Sequence, residues 1–139
     1  MGEIPSNNNM ISAIFVSPKP GEVIAADTTF TLSVQITGLQ AGAFTNAQKT
    51  YYAAPQALNG QGQIIGHTHV TVQDLGGSLE PTNPPDAKTF VFFKGINDDG
   101  NGNGLLSADV PGMFFLSFHK SHSTCKQEMS FKQEGKVLT

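Results

Sequence analysis

The chain of 139 residues contains no arginine, no tryptophan and a single cysteine, Cys125. Without arginine, and with a formal net charge of −3, it lacks the basic surface and the bidentate side chains that phosphate backbones require, so we expect no nucleic-acid partner. One cysteine cannot form an internal disulfide, so packing and hydrogen bonds must hold the fold. No apolar run approaches the ~20 residues that span a bilayer, which predicts no membrane span.

The length fits one domain, and we expect three unequal parts within it. The opening MGEIPSNNNM has no basic start and no long apolar core, so it is not a signal peptide, and residues 1–10 are predicted to be flexible. Residues 11–112 are predicted to form a β-sandwich domain. Residues 113–139 form an atypical tail, with four lysines against two acidic residues, whereas residues 1–112 carry four lysines against nine.

The hydrophobic pattern predicts strands. Residues 29–37 alternate between apolar and polar side chains, as a half-buried antiparallel strand does, and SAIFV and the turn SPKPGE precede them. Further strands are predicted at IIGHTHVTVQ (64–73), KTFVFFKGI (88–96) and LLSADV (105–110). KTFVFFKGI is apolar on both faces, which indicates an interior strand. Short strands separated by turns predict an all-β fold, an immunoglobulin-like antiparallel β-sandwich.

One segment breaks this pattern. Thr45 or Asn46 is a suitable cap for a short helix, and Pro55 would end it, so we predict a helical crossover near residues 46–54. Tyr51 and Tyr52 in this crossover are candidate binding residues, because their rings can pack against a protein or stack on a sugar.

Two of the four histidines, His67 and His69, stand two residues apart in the strand predicted at 64–73. Alternate residues of a strand share a face, and the opposite face, with Val70 and Val72, is the better core face. The histidines are therefore expected to point to solvent, into a groove or toward a covering segment. Paired imidazoles suit copper or zinc, but a third donor must come from elsewhere. The candidates for it are Asp74, Glu80, His119, His122 and Cys125. The alternative is a polar strand face whose histidines bond to neighbours or water.

Other patterns suggest no reaction. Asp99, Asn101 and Asn103 resemble half of a calcium loop, but Val110 stands where a bidentate Glu is expected, so a Gly/Asn-rich hairpin is favoured. No Gly-x-Ser-x-Gly elbow is present, and Cys125 lacks a context that would activate it. We predict no catalytic residue and favour a protein that is not an enzyme. No cofactor is expected apart from copper or zinc at the histidine pair.

The segments FTNAQKTYYAAPQALNGQGQIIGHTHVTVQDL, FVFFKGIND and GLLSADV resemble a family of small secreted proteins of mushroom-forming fungi. That family shares a Gly-His-Thr-His-Val strand and a Phe-Phe-Lys-Gly strand, and the resemblance runs from Ile11 to Val110. It implies a secreted protein, with its leader absent here, and it assigns no activity or catalytic residue. We therefore expect a non-enzymatic protein that binds cell-surface, host or wall components. Its expected partner is an extracellular protein or a glycan surface. The alternative is a metal-binding protein or metal-dependent enzyme centred on His67 and His69.

The tail departs from this family after Val110. Our hypothesis is an unspliced intron, because Gly112 to Phe114 can be encoded over a GTATGT donor site and Gln127 can be encoded by a CAG acceptor. A spliced cDNA that still encodes residues 113–127 would remove the hypothesis. Loss of the proper last strands would leave the sheet prone to association, so a homo-oligomer is a further expectation.

Overall fold

Strands form most of the regular structure, because the alternating segments need partners for their apolar faces and their backbone groups. The computed structural model describes residues 2–20, 22–25, 27–46, 48–50, 53–74 and 82–112, and the backbone of residues 127–134. The strands are β1 (Ser12–Ser17), β2 (Phe30–Thr37), β3 (Leu39–Gln40), β4 (Ile64–Ile65), β5 (His67–Asp74), β6 (Phe92–Ile96), β7 (Leu105–Val110) and β8 (Gln127–Glu134). A short 3₁₀ helix spans Asn7–Asn9.

The strands form two three-stranded antiparallel sheets, in the orders β1-β2-β7 and β6-β5-β8. The short strands β3 and β4 pair in parallel. The central strands are β2 and β5, and β5 pairs with β8 over its whole length, from His67 opposite Glu134 to Asp74 opposite Gln127. The predicted all-β fold is confirmed.

The core joins the two three-stranded sheets. In β2 the buried residues are Leu32, Val34 and Ile36, which is the alternation that the sequence predicts for residues 29–37. They form one cluster with side chains from β5, β6 and β7: Val70, Val72, Ile96, Leu106, Ala108 and Val110. Their burial removes apolar surface from water, which is the main force that holds the two sheets together.

The helix predicted near residues 46–54 is not confirmed. The described residues there form hydrogen-bonded turns, in which the Asn46 Oδ1 atom accepts hydrogen bonds from the backbone N–H groups of Gln48 and Lys49 at 2.9 and 3.0 Å. Asn46 therefore stabilises a turn, and its predicted role as a helix cap is not confirmed. A second turn follows, in which the N–H groups of Ala53 and Ala54 donate to the Thr50 carbonyl. Tyr51 and Tyr52 lie outside the described residues.

The described strands do not confirm the prediction of an interior strand within residues 88–96. The strand found there, β6, is at the edge of the sheet β6-β5-β8 among the described strands. Ile96 faces the core, whereas Phe93 is 49% exposed. The apolar residues on the two faces of this strand therefore have different surroundings. One face packs in the core, and the other carries exposed aromatic rings.

Both ends of the chain contribute contacts. The backbone N–H of Glu3 donates to the Gln56 carbonyl at 2.8 Å, and its carboxylate accepts from the N–H of Leu58 at 2.7 Å. The flexibility of residues 1–10 and the proposed domain limits stay predictions. The tail supplies β8, so part of it extends the sheet that contains the histidines. Among described residues, no helix is long and apolar enough to cross a membrane.

Candidate site at the histidine pair

His67 and His69 lie on the face of β5 opposite the core. They are 5% and 8% exposed, and neither belongs to the buried hydrophobic cluster. Because residues alternate along a strand, the same strand places Val70 and Val72 in the core and the two imidazoles on the other side of the sheet. The sequence left three surroundings open for the histidines: solvent, a groove or a covering segment. In the structure a covering segment lies over them.

That segment consists of residues 39–45. It is held against the start of β5 by the parallel pairing of β3 with β4, by a 3.0 Å bond from Gly66 N–H to the Gln40 carbonyl, and by a 3.0 Å bond from Ala43 N–H to the Gly66 carbonyl. These bonds bring the Ala43 carbonyl to 3.1 Å from Nδ1 of His67. A backbone bonding pattern that begins three residues before His67, at Ile64, therefore positions the polar cover of the pair.

The Ala43 carbonyl determines the tautomer of His67. A carbonyl oxygen can only accept a hydrogen bond, so Nδ1 of His67 must carry a proton. In the neutral ring, Nε2 then carries a lone pair. This atom lies 2.9 Å from Nε2 of His69, and the two rings are edge-on, with an interplanar angle of 61°. The contact is a hydrogen bond in which His69 Nε2–H donates to His67 Nε2.

The His69 ring has two neighbours in β6. Phe93 stacks on it with ring centroids 5.0 Å apart and planes inclined by 25°. Gly95 is its cross-strand neighbour, and a Cβ atom added to this glycine would lie 3.2 Å from Cε1 of the imidazole. A side chain at position 95 would therefore crowd the ring. Phe90 continues the row at 5.6 Å from Phe93 and is 50% exposed. We call His69, Phe93 and Phe90 the aromatic row.

Of the predicted third donors, only Asp74 belongs to the described residues, and it does not lie at the pair. Asp74 is exposed at the far end of β5, and Glu80, His119, His122 and Cys125 lie outside the described residues. Within the part of the chain that the structure describes, no group of three or more His, Cys, Asp or Glu side chains is arranged to hold a metal ion.

In the calcium-like loop, side-chain oxygens accept hydrogen bonds from backbone N–H groups of the same loop. Asp98 Oδ1 accepts from Gly100 N–H at 2.9 Å, and Asn101 Oδ1 accepts from the N–H groups of Asn103 and Leu105 at 2.9 and 3.1 Å. These are local turns of the kind that Asp and Asn favour. The loop connects β6 of one sheet to β7 of the other, so it joins two sheets and is not a hairpin within one.

Three residues that contribute to the site were not predicted from the sequence: Ala43, Phe93 and Gly95. The Phe-rich and glycine-containing segment FVFFKG gave a signal for the last two, since a glycine inside a strand often marks a close approach. Only the register between β5 and β6, which places Gly95 opposite His69, turns that signal into a contact. No pattern in the sequence pointed to the Ala43 carbonyl.

Fold and site together define a β-sheet domain with a covered histidine pair and an aromatic row whose two phenylalanines are half exposed. The family model of the CLU5d N-terminal domain matches residues 13–127, and the chain belongs to this family. It is 56% identical over 112 residues to pathogenicity cluster 5 protein d of Colletotrichum graminicola, a match that covers 81% of this chain. The chain spans about a quarter of that relative, which is matched over 23% of its length. No solved structure matches.

These findings confirm part of the resemblance seen in the sequence. The relative is a fungal protein, as the resemblance implies. The narrower attribution to mushroom-forming fungi stays a prediction. The family match continues past Val110 to residue 127, and therefore includes the segment for which an unspliced intron is the hypothesis.

Proposed function

We propose that this chain is a binding domain of a secreted fungal protein, without catalytic activity, and that it binds cell-surface, host or wall components. The observation that carries the proposal is the aromatic row, in which Phe93 on β6 and Phe90 just before β6 are each about half exposed. An immunoglobulin-like arrangement of the two sheets is part of the same proposal. It is supported by the single core that both sheets share.

Aromatic side chains are effective anchors for a partner because they bury a large area and lose little conformational freedom. Phe93 has a further advantage, since its contact with His69 already restricts the ring before a partner arrives. Burying it in a complex would therefore cost less side-chain entropy than burying a mobile surface residue. About half of Phe93 is exposed, and an extracellular protein or a glycan surface is the expected partner.

The relative's name supports a host-directed role. It assigns that protein to a pathogenicity cluster, and we extend to this chain only the proposal that its partner is met outside the fungal cell, at a host or wall surface. Secretion is part of this proposal. Self-association into a homo-oligomer stays a separate prediction, which sedimentation of the full chain would test.

A glycan array and a panel of purified host-surface proteins test the binding proposal. The full chain should bind at least one member of either set. Phe93→Ala and Phe90→Ala should each weaken that binding about tenfold or more, because a central aromatic anchor commonly contributes over ~1.4 kcal/mol. Ile14→Ala is the matched control: Ile14 is an exposed apolar residue on β1 of the other sheet, and its loss should leave binding unchanged. Equal effects of the three substitutions would contradict the proposal.

A second candidate is a metal-binding protein or metal-dependent enzyme centred on His67 and His69, with copper or zinc as the metal. Its support is that one face of β5 places two imidazoles side by side, and a metal ion would have to replace the hydrogen bond between their Nε2 atoms. Elemental analysis of untagged chain, purified without a metal column, is the test. Stoichiometric metal that disappears in the His67→Ala, His69→Ala double variant would support this candidate, and metal-free protein after incubation with either metal would remove it.

A further inference from the structure

We propose that Asn103 is a site of spontaneous deamidation, at which the folded chain converts an asparagine into aspartate and isoaspartate. The reaction needs a backbone nitrogen that can reach the side-chain carbonyl carbon of the asparagine before it. Glycine permits this approach best, because it has no Cβ to obstruct it. The sequence contains three Asn-Gly pairs, which begin at Asn59, Asn101 and Asn103. The structure distinguishes between them, and the inference does not depend on the function proposed above.

The reaction uses two groups, the asparagine side-chain amide and the N–H of the following glycine. The backbone nitrogen of Gly104 loses its proton to solvent and attacks Cγ of Asn103. The new C–N bond closes a succinimide ring, while the bond from Cγ to Nδ2 breaks and that nitrogen takes up a proton and leaves as ammonia. Water then opens the ring at either carbonyl and gives aspartate or isoaspartate. Hydrogen bonds that hold either group in place therefore oppose the reaction.

The side chain of Asn59 is held at both of its polar atoms. Its Oδ1 atom accepts hydrogen bonds from the N–H groups of Gln61 and Gln63, both at 2.9 Å. Its Nδ2 atom donates to the Oε1 atoms of Gln40 and Gln63 at 2.9 and 3.0 Å. The amide cannot turn toward the nitrogen of Gly60 until these bonds break, so the fold protects this pair.

Both reacting groups of the second pair are held. Asn101 Oδ1 accepts from the N–H groups of Asn103 and Leu105 at 2.9 and 3.1 Å. The attacking nitrogen would be that of Gly102, and its N–H donates to the Asp99 carbonyl at 3.1 Å. Asn101 is exposed, so its protection comes from these bonds and not from burial.

The third pair lacks such restraints. Asn103 is exposed, and among the described residues its side-chain amide has no hydrogen-bond partner. The N–H of Gly104 likewise donates to no group in the described part of the chain. The reaction at Asn103 therefore needs no prior opening of the loop, whereas the other two pairs react only after local unfolding.

Packing of the loop against β2 requires the glycine that makes Asn103 reactive. Gly104 has a φ of +82°, and a Cβ atom there would lie 2.1 Å from the Ile36 carbonyl oxygen. The Gly104 carbonyl accepts from the N–H of Ile36 at 2.8 Å, and the Asn103 carbonyl accepts from Gln35 Nε2 at 2.7 Å. In isoaspartate the main chain runs through Cγ and is one carbon longer, and the former backbone carbonyl becomes a free carboxylate. Isoaspartate at position 103 should therefore weaken the attachment of this loop to β2.

The test is peptide mass spectrometry of full-length chain incubated at mildly alkaline pH, with a second sample in urea. Fragmentation assigns each conversion to one asparagine. In the folded chain, conversion at Asn103 should be at least about tenfold faster than at Asn59 or Asn101, because those two must first break several hydrogen bonds. In urea the three rates should converge, because the contacts of the fold are lost. Equal rates in the folded chain would overturn the proposal, and so would an intact Asn103 in folded chain while the urea sample reacts.

Asn103→Gln tests whether this one residue carries the effect. Its longer side chain would have to close a larger ring, so it reacts far more slowly. After the same incubation, the wild type should unfold at a lower urea concentration than fresh protein, and Asn103→Gln should show no such shift. Freshly prepared Asn103→Asp is the control for the added charge, and it should unfold near the wild-type midpoint because position 103 is exposed. An equal shift in aged Asn103→Gln and aged wild type would contradict the assignment to Asn103.

Discussion

The two faces of β5 are both buried, but for different reasons. On the core face, Thr68, Val70 and Val72 are fully buried between two sheets, where nonspecific apolar packing dominates. On the histidine face, His67 and His69 are buried by specific contacts with a carbonyl, with a phenyl ring and with each other. The two sets of residues are therefore similarly buried, but different interactions stabilise them. The core face should respond to lost volume, and the histidine face should respond to lost partners.

The largest effect is expected on the core face. Val70→Ala removes two buried methyl groups and leaves a cavity, so the free energy of unfolding should fall by about 2 to 3 kcal/mol. Thr71→Ala is the matched change on the opposite face of the same strand, where the residue is only half-buried, and should cost no more than about 0.5 kcal/mol. Urea denaturation with unchanged m-values measures both. Equal losses would mean that the two faces do not differ as described.

The next effect tests the polar contacts of the histidine face. His67→Ala leaves the buried Ala43 carbonyl without its donor, and should reduce the free energy of unfolding by about 2 kcal/mol. A double-mutant cycle with His69→Ala should show a coupling of about 1 kcal/mol, because each substitution alone already breaks the bond between the Nε2 atoms. Strictly additive losses in urea denaturation would show that the histidines do not interact.

The sequence predicted the core face better than the histidine face, for a physical reason. Strand burial follows a local two-residue period, so Leu32, Val34 and Ile36 could be assigned from their spacing alone. The shared face of His67 and His69 followed from the same period. Their partners did not, because the Ala43 carbonyl and Gly95 reach the site through strand pairings that no local pattern encodes. The edge position of β6 among the described strands was missed for the same reason, since lateral pairing partners do not follow from which side chains are apolar.

A smaller effect is expected at Gly95. Alanine ordinarily stabilises a strand relative to glycine, but here its Cβ would stand 3.2 Å from Cε1 of His69, and we expect a net loss of about 1 kcal/mol in unfolding free energy. The same substitution should be neutral or stabilising in a His69→Ala background, which removes the ring. Gly60→Ala is the control, because a Cβ there meets nothing within 4 Å. If Gly95→Ala still lowered the free energy of unfolding in the His69→Ala background, the added Cβ would be clashing with a group other than the imidazole.

The smallest effect should be a gain in stability, and it concerns the buried polar side chain on the core face of β5, Thr68. Thr68 is fully buried, and its Oγ1 atom has no hydrogen-bond partner among the described residues. A buried hydroxyl without a partner has lost its bonds to water and gained nothing in return. Thr68→Val keeps the branched shape and removes this cost, so urea denaturation should show an increase of about 0.5 to 1 kcal/mol. Thr71→Val on the histidine face is the control and should change stability by less. A loss at Thr68 would indicate that its hydroxyl has a partner, and that the core face also depends on a specific polar contact.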